Sequence, residues 1–103
     1  MAYLNWTDQA ISDLINISAY IEKDSRTYAK ITINKIRSSA RRIRDFPLSG
    51  RIVPEINVNE IREVFVGNYR LIYFIVEKDR IDILSVYHSA RMLNIQEIRK
   101  HSG

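Results

Sequence analysis

Arg70 opens the most apolar run of the sequence, Leu71–Val76. An arginine at the head of such a run needs an anion or burial by a partner, and its planar guanidinium suits two-pronged contact with a phosphate or carboxylate. An internal pair with Glu63 or a loop carboxylate would also satisfy it, so both readings stand. Tyr87 and His88 are adjacent near the end of a later apolar run. His88 is one of two histidines, and an imidazole titrates near neutrality as general acid–base work requires. A histidine at the end of a strand also commonly caps or packs. His101 lies in the tail. Arg51 follows Gly50 in a loop, where it can meet an anion or simply be solvated. Lys35, Arg37, Arg41, Arg42 and Arg44 give one helical segment a basic surface suited to an acidic partner.

The elements that position these residues follow from periodicity. Tyr3–Trp6 suits a first strand, and Thr7 stands where a helix N-cap belongs, with Asp8 at the helix's positive end. Ala10, Leu14, Ile17 and Ile21 recur at spacings of 4, 3 and 4, one face of an amphipathic helix. Ile11 and Ile15 widen that face. Asp24-Ser25 interrupts the pattern, and Ser25 can cap a second helix carrying Ala29, Ile33, Ile36, Ala40 and Ile43. So short a break predicts an antiparallel helical hairpin. The second helix stops before Pro47, because proline disfavours helix in the residue preceding it.

Leu48 to Asn59 reads as loop, after which the pattern becomes β-rich: Ile61–Val66, Tyr69–Val76 and Ile81–Tyr87. Gly67-Asn68 and Lys78-Asp79 supply hairpin turns. Counting outward from them sets Phe65 opposite Arg70, Arg70 opposite Tyr87 and Glu77 opposite Arg80. Arg70, Ile72, Phe74, Ser85, Tyr87 and Phe65 then share one sheet face. Val64, Val66, Leu71, Tyr73, Leu84 and Val86 share the other, with Arg62 and His88 towards its ends. The second face is the more uniformly apolar and is assigned to the helices, leaving the face of Arg70 and Tyr87 open. A one-residue slip would exchange the faces. A final short helix is expected over Ala90–Lys100. The order β-α-α-β-β-β, a helical hairpin on an antiparallel sheet, is an α+β fold, and residues 1–103 form a single domain.

Composition narrows the function classes. With no cysteine, disulfides, thiolate metal sites and a cysteine nucleophile are excluded. Nothing approaches the roughly 20 apolar residues of a membrane span, and the first residues lack signal-peptide character, so a cytoplasmic protein with no membrane role is expected. No phosphate-binding glycine loop, zinc spacing, serine elbow or dinucleotide fingerprint occurs, and no cofactor or metal is implied. Sixteen Lys and Arg against twelve Asp and Glu give a net charge of +4, which favours nucleic acid or an acidic protein as partner.

Several segments in order resemble the RelE/ParE superfamily of toxins from type II toxin–antitoxin systems. They are Asp13-Leu14 and Tyr20-Ile21 in the helical hairpin, Phe46-Pro47-Leu48-Ser49-Gly50-Arg51, Val53-Pro54-Glu55, Ile61-Arg62-Glu63-Val64, Gly67-Asn68-Tyr69-Arg70-Leu71-Ile72-Tyr73 and Ile83-Leu84-Ser85-Val86-Tyr87-His88-Ser89-Ala90-Arg91. Together they cover roughly residues 3 to 93. The resemblance implies a cognate acidic antitoxin whose flexible segment wraps the toxin, with DNA contacted mainly through the antitoxin. RelE-like members cut mRNA on the ribosome, and for such an endoribonuclease Arg70, Tyr87 and His88 would be the catalytic set. ParE-like members poison DNA gyrase without chemistry of their own. Arg51, Arg62, Arg70 and Arg91 are the candidates for binding in either case. Ile52–Asn59 lacks the RelE-type lysine cluster, and fifteen residues follow His88, where histidine–tyrosine ribonucleases of the family tend to end. The Gly-Arg loop, Val-Pro-Glu and the long hairpin look more like ParE, so a gyrase inhibitor is preferred over an mRNA nuclease. A degenerate, non-toxic antitoxin-binding module is the third reading.

Overall fold

The structure, a computed structural model, describes residues 2–77, 79–90 and 98. Strand β1 (Tyr3–Trp6) leads into helices α1 (Asp8–Glu22) and α2 (Arg26–Asp45). A 3-10 turn at Pro47–Ser49 precedes β2 (Arg51–Ile52), β3 (Ile61–Val66), β4 (Tyr69–Glu77) and β5 (Arg80–His88). The strands make one sheet in the order β1-β5-β4-β3-β2, with both helices against it. This is the expected α+β fold with two departures. A two-residue β2 pairs with β3, setting Arg51 opposite Glu63. The sheet is also mixed rather than wholly antiparallel, because β1 joins β5 in parallel. A parallel pair needs a long connection between its strands, and the helices and the β2–β4 segment supply it. Apart from Ala90 and Ile98, the helix expected over Ala90–Lys100 lies outside the described residues.

Both helices begin at the caps their sequences prescribe. The Thr7 hydroxyl accepts the Ala10 N–H at 3.2 Å and the Ser25 hydroxyl accepts that of Tyr28 at 3.0 Å. Each bond satisfies a donor the first helical turn leaves unpaired, typically worth about 1 kcal/mol. Thr7 also ties α1 to the sheet, donating to the Ile83 carbonyl at 2.8 Å. Beyond the end of β1, the outer edge of β5 is met by α1 itself, where Asp13 accepts the Val86 N–H at 2.9 Å.

One face of the sheet packs on the helices. Leu71, Tyr73, Ile81, Ile83 and Val86 bury there with Ala10, Ile36, Ala40 and Ile43, flanked by Leu14, Ile17, Val64, Val66 and Tyr69. Ile11 and Ile15 do not join them. They stand 45% and 63% exposed, because the helix turns them away from a stripe already filled at positions 10, 14 and 17. The opposite face is not open at its centre. Val53 and Ile56 of the loop and Ile98 cover Ile61, Ile72, Leu84 and Tyr87 to make a second, smaller core.

Leu84, expected on the helical face, belongs to that second core. The reason lies in the β4–β5 ladder. Arg70 pairs with Tyr87 and Ile72 with Ser85, but Tyr73 then pairs with Ile83, so Leu84 is an extra residue. A second irregularity between Ile75 and Glu77 makes Val76 the extra residue on β4. The two bulges cancel, so the pairs counted from the turns hold at both ends of the ladder while the middle is shifted.

The loop before β2 is fixed by Tyr73. Its buried hydroxyl accepts the Gly50 N–H at 3.0 Å and donates to the Pro47 carbonyl at 2.6 Å. Burial pushes the Tyr73 phenol pKa up, which keeps it protonated and able to donate. At Gly50 a Cβ would stand 2.5 Å from the Tyr73 hydroxyl and 2.7 Å from the Glu63 carbonyl oxygen. Gly50→Ala should therefore lower the unfolding free energy by about 1–3 kcal/mol through overpacking, read as a lower urea midpoint with an unchanged slope.

Candidate functional site

On the face away from the helices, four charged side chains from three strands and a loop form one cluster. Glu63 of β3 lies at its centre with a fully buried side chain. Arg51 of β2 donates its Nε–H to Glu63 Oε2 at 2.6 Å, and Arg70 of β4 donates its Nε–H to Glu63 Oε1 at 2.7 Å. A further Nη2 contact from Arg70 reaches the same Oε1. The outer edge of the Arg70 guanidinium is taken by Glu55, which accepts from Nη1 at 3.1 Å and from Nη2 at 3.2 Å. The Arg70 side chain is 9% exposed, that of Glu55 38% and that of Arg51 59%. Arg51 also lies over the Phe65 ring, 5.3 Å from its centre.

Alternation and pairing produce this arrangement. Phe65, Arg70 and Tyr87 are successive cross-strand neighbours, and Arg51 stands opposite Glu63. The loop that presents Glu55 is pinned on both sides of it. Val53 and Ile56 are buried, and the Val53 carbonyl accepts the N–H groups of Ile56 and Asn57 at 3.1 and 2.8 Å. Asn57 closes the turn with φ of 56°, a conformation asparagine tolerates better than most residues.

The electrostatics follow from burial. A carboxylate taken out of water is tolerated only with cationic partners, and Glu63 has two. Burial depresses the Arg70 pKa, but the hydrogen bonds it donates to Glu55 and Glu63 more than offset this and raise it overall. Hydrogen bonds from the Arg70 guanidinium hold Glu55 below the usual carboxylate range. Arg70 is thus met by both an internal pair with Glu63 and a loop carboxylate, each raised by the sequence.

The other sequence candidates are distributed differently. Arg62 braces the loop, donating to the Asn59 carbonyl and side-chain oxygen at 3.0 Å each and to the Gly50 carbonyl at 2.9 Å. Tyr87 is buried on the Arg70 face within the second core. His88, exposed, stands on the other side of β5, edge-on to the Tyr69 ring at 5.4 Å, and its Nδ1 accepts the Ala90 N–H at 3.2 Å. The sheet therefore brings Arg70 and Tyr87 together and sets His88 apart. Arg91 lies outside the described residues. The role of Glu55 is the feature the sequence signalled least. Its marks there are its place in the Val53-Pro54-Glu55 segment and the general need of Arg70 for an anion, which a loop carboxylate can meet.

Two outcomes follow. Glu63→Ala strands two arginine heads around an empty, partly buried site and should cost about 3–5 kcal/mol, measured by chemical denaturation. Because the folded pKa of Glu55 is depressed, its pair with Arg70 contributes stability fully present above the unfolded value of about 4.3 and lost as pH falls through the lower folded value. The wild type should thus lose more stability than Glu55→Gln on acidification below that pH, and parallel pH–stability curves would refute the coupling.

Comparison with known proteins agrees with this architecture. A chain of a chromosomal ParDE toxin–antitoxin system from P. aeruginosa superposes with a TM-score of 0.69 at 20% identity, covering 85% of this chain and 96% of that one. The E. coli toxin RelE, as a double arginine-to-alanine mutant in the free state, also superposes with a TM-score of 0.69, at 15% identity and 98% coverage of both chains. No curated protein matches the sequence. The sequence profile of the ParE toxin of type II toxin–antitoxin systems, parDE, matches residues 4–93. With nearly its whole length inside that match, the chain belongs to the ParE toxin family of the RelE/ParE superfamily.

Proposed function

We propose that this toxin arrests growth by binding and inhibiting DNA gyrase, performs no chemistry itself, and is neutralised in the cytoplasm by a cognate acidic antitoxin. The observation that carries the reading is the separation of His88 from Arg70 and Tyr87. Cleavage of RNA requires a base for the 2′-hydroxyl, an acid for the leaving oxygen and cations on the phosphate, all within hydrogen-bond reach of one substrate. Here the imidazole faces away from the guanidinium across the strand, and both edges of that guanidinium are held by the chain's own glutamates. Family membership over residues 4–93 supports the same reading. The net charge of +4 suits an acidic antitoxin, whose flexible segment would order on binding and would itself make the main contacts to DNA.

Ribosome-dependent mRNA cleavage is the competing reading, favoured by the direct neighbourhood of Arg70 and Tyr87. Purified toxin added to gyrase, plasmid and ATP should abolish supercoiling and accumulate cleaved DNA, and His88→Ala should retain that effect. Growth arrest with unaffected gyrase and cut mRNA would transfer the function to the ribosome. Unimpaired growth on overexpression without antitoxin would instead mark a non-toxic antitoxin-binding module.

A further inference from the structure

We infer that Arg70, with Arg51 and Phe65 beside it, is a receptor for a carboxylate side chain of a protein partner, and that Glu55 occupies it in the free chain as a displaceable internal stand-in. The two glutamates on Arg70 are not equivalent. Glu63 is fully buried and meets Arg70 through Nε at 2.7 Å as well as through Nη2, while its other oxygen is held by Arg51 at 2.6 Å. Glu55 is 38% exposed and makes the two longer contacts, 3.1 and 3.2 Å, on the outer edge. The inner carboxylate is a fixture of the fold, whereas the outer one sits where solvent and ligands arrive.

Replacing Glu55 needs no loop opening. Val53 and Ile56 anchor the backbone on both sides of it in the second core, so rotation of one side chain frees the outer edge of the guanidinium. What remains is a preformed fork, since Arg70 is still held by Glu63 and pays little ordering entropy on binding. Charge limits the ligand to a monoanion, and geometry selects among monoanions. Arg51, Arg70, Glu63 and Glu55 sum to zero. Without Glu55 the cluster carries one positive charge, which a carboxylate or a phosphodiester would neutralise, whereas a phosphate dianion would leave an excess beside buried Glu63. The outer edge already holds a flat carboxylate through both oxygens. The observed occupant of the edge is itself a carboxylate in two-pronged geometry. Phe65 is 53% exposed and stacked under Arg51, an apolar contact for the residue next to the incoming acid. The occupant is therefore an aspartate or glutamate on an extended protein segment, and the inference holds whichever cellular target the toxin has.

The test uses the full chain, with folding of each variant checked by its melting transition. Capped peptides holding one glutamate, or glutamine in its place, are titrated while the arginine Nε–H resonances are followed by NMR, with inorganic phosphate as a separate arm. Because Glu55 competes for the site, Glu55→Ala should bind the glutamate peptide at least about fivefold more tightly than wild type, the gain from removing a competing closed state. The shifts should fall on Arg70 and Arg51, the glutamine peptide should be silent, and Arg70→Lys should lose binding. If Glu55→Ala folds poorly, Glu55→Gln serves, with a smaller gain in the same direction. Equal affinity of wild type and variant, no binding to either, or shifts elsewhere would overturn the inference. Preference for phosphate over the peptide would overturn the carboxylate assignment.

Discussion

A buried carboxylate must be matched by cations or it will not stay charged, and in this fold that constraint falls on Glu63. Its side chain has no exposure, and its two oxygens are bound by arginines from two other strands, Arg51 and Arg70. The β2–β3 pairing is only two residues long, and hydrogen bonds of so short a ladder provide little cohesion alone. The Arg51–Glu63 pair supports it from the side chains, while Arg62 and Tyr73 tie the preceding loop from the other side. Gly50 lies between these two sets of contacts, too close to Tyr73 and Glu63 to carry a side chain. The loop of Val53 to Glu60 then starts from a fixed point, which lets its apolar residues reach the second core and Glu55 reach Arg70.

Much of this was legible in the chain. Thr7 and Ser25 mark the helix starts, Pro47 the end of the second helix, and Gly67-Asn68 the turn that sets Phe65 against Arg70. These are local signals, each resting on a backbone requirement that few residue types meet. Glu63 was identifiable as a partner for Arg70 because it lies on the same face of the neighbouring strand. What the chain concealed is non-local. Nothing in Tyr3–Trp6 indicates whether that strand joins its neighbour in parallel, since this depends on where the chain returns after both helices. The covering of the Arg70 face was also hidden. Val53 and Ile56 are separated by proline and glutamate and show no strand or helix period, yet they close a second core once the loop is pinned. Ile11 and Ile15 show the reverse, apolar residues at helical spacing that the packing stripe has no room for.

Family membership and site chemistry carry different information here. The order of segments from the hairpin to the last strand identifies the ParE toxin family, and a likeness at 15–20% identity to both a ParDE chain and RelE shows a shared fold. A shared fold does not choose between gyrase and ribosome. That choice has to rest on the direction of a few side chains, and the direction is set by sheet register.

The register depends on two bulges. From the β4–β5 turn, Glu77 faces Arg80, and the extra residue Val76 then shifts the ladder so that Ile75 faces Ile81 and Tyr73 faces Ile83. If that shift persisted, Arg70 would stand opposite Val86, and His88 would share its face, since side chains alternate along β5. Tyr87 would point towards the helices. The second bulge at Leu84 cancels the first and restores Arg70 opposite Tyr87. A single inserted residue therefore decides whether the arginine has a buried phenol or an imidazole beside it. Leu84 is held in its bulge by burial in the second core, so the loop that carries Glu55 also helps fix which aromatic side chain Arg70 meets. The cover over this face and the chemistry beneath it are parts of one packing solution.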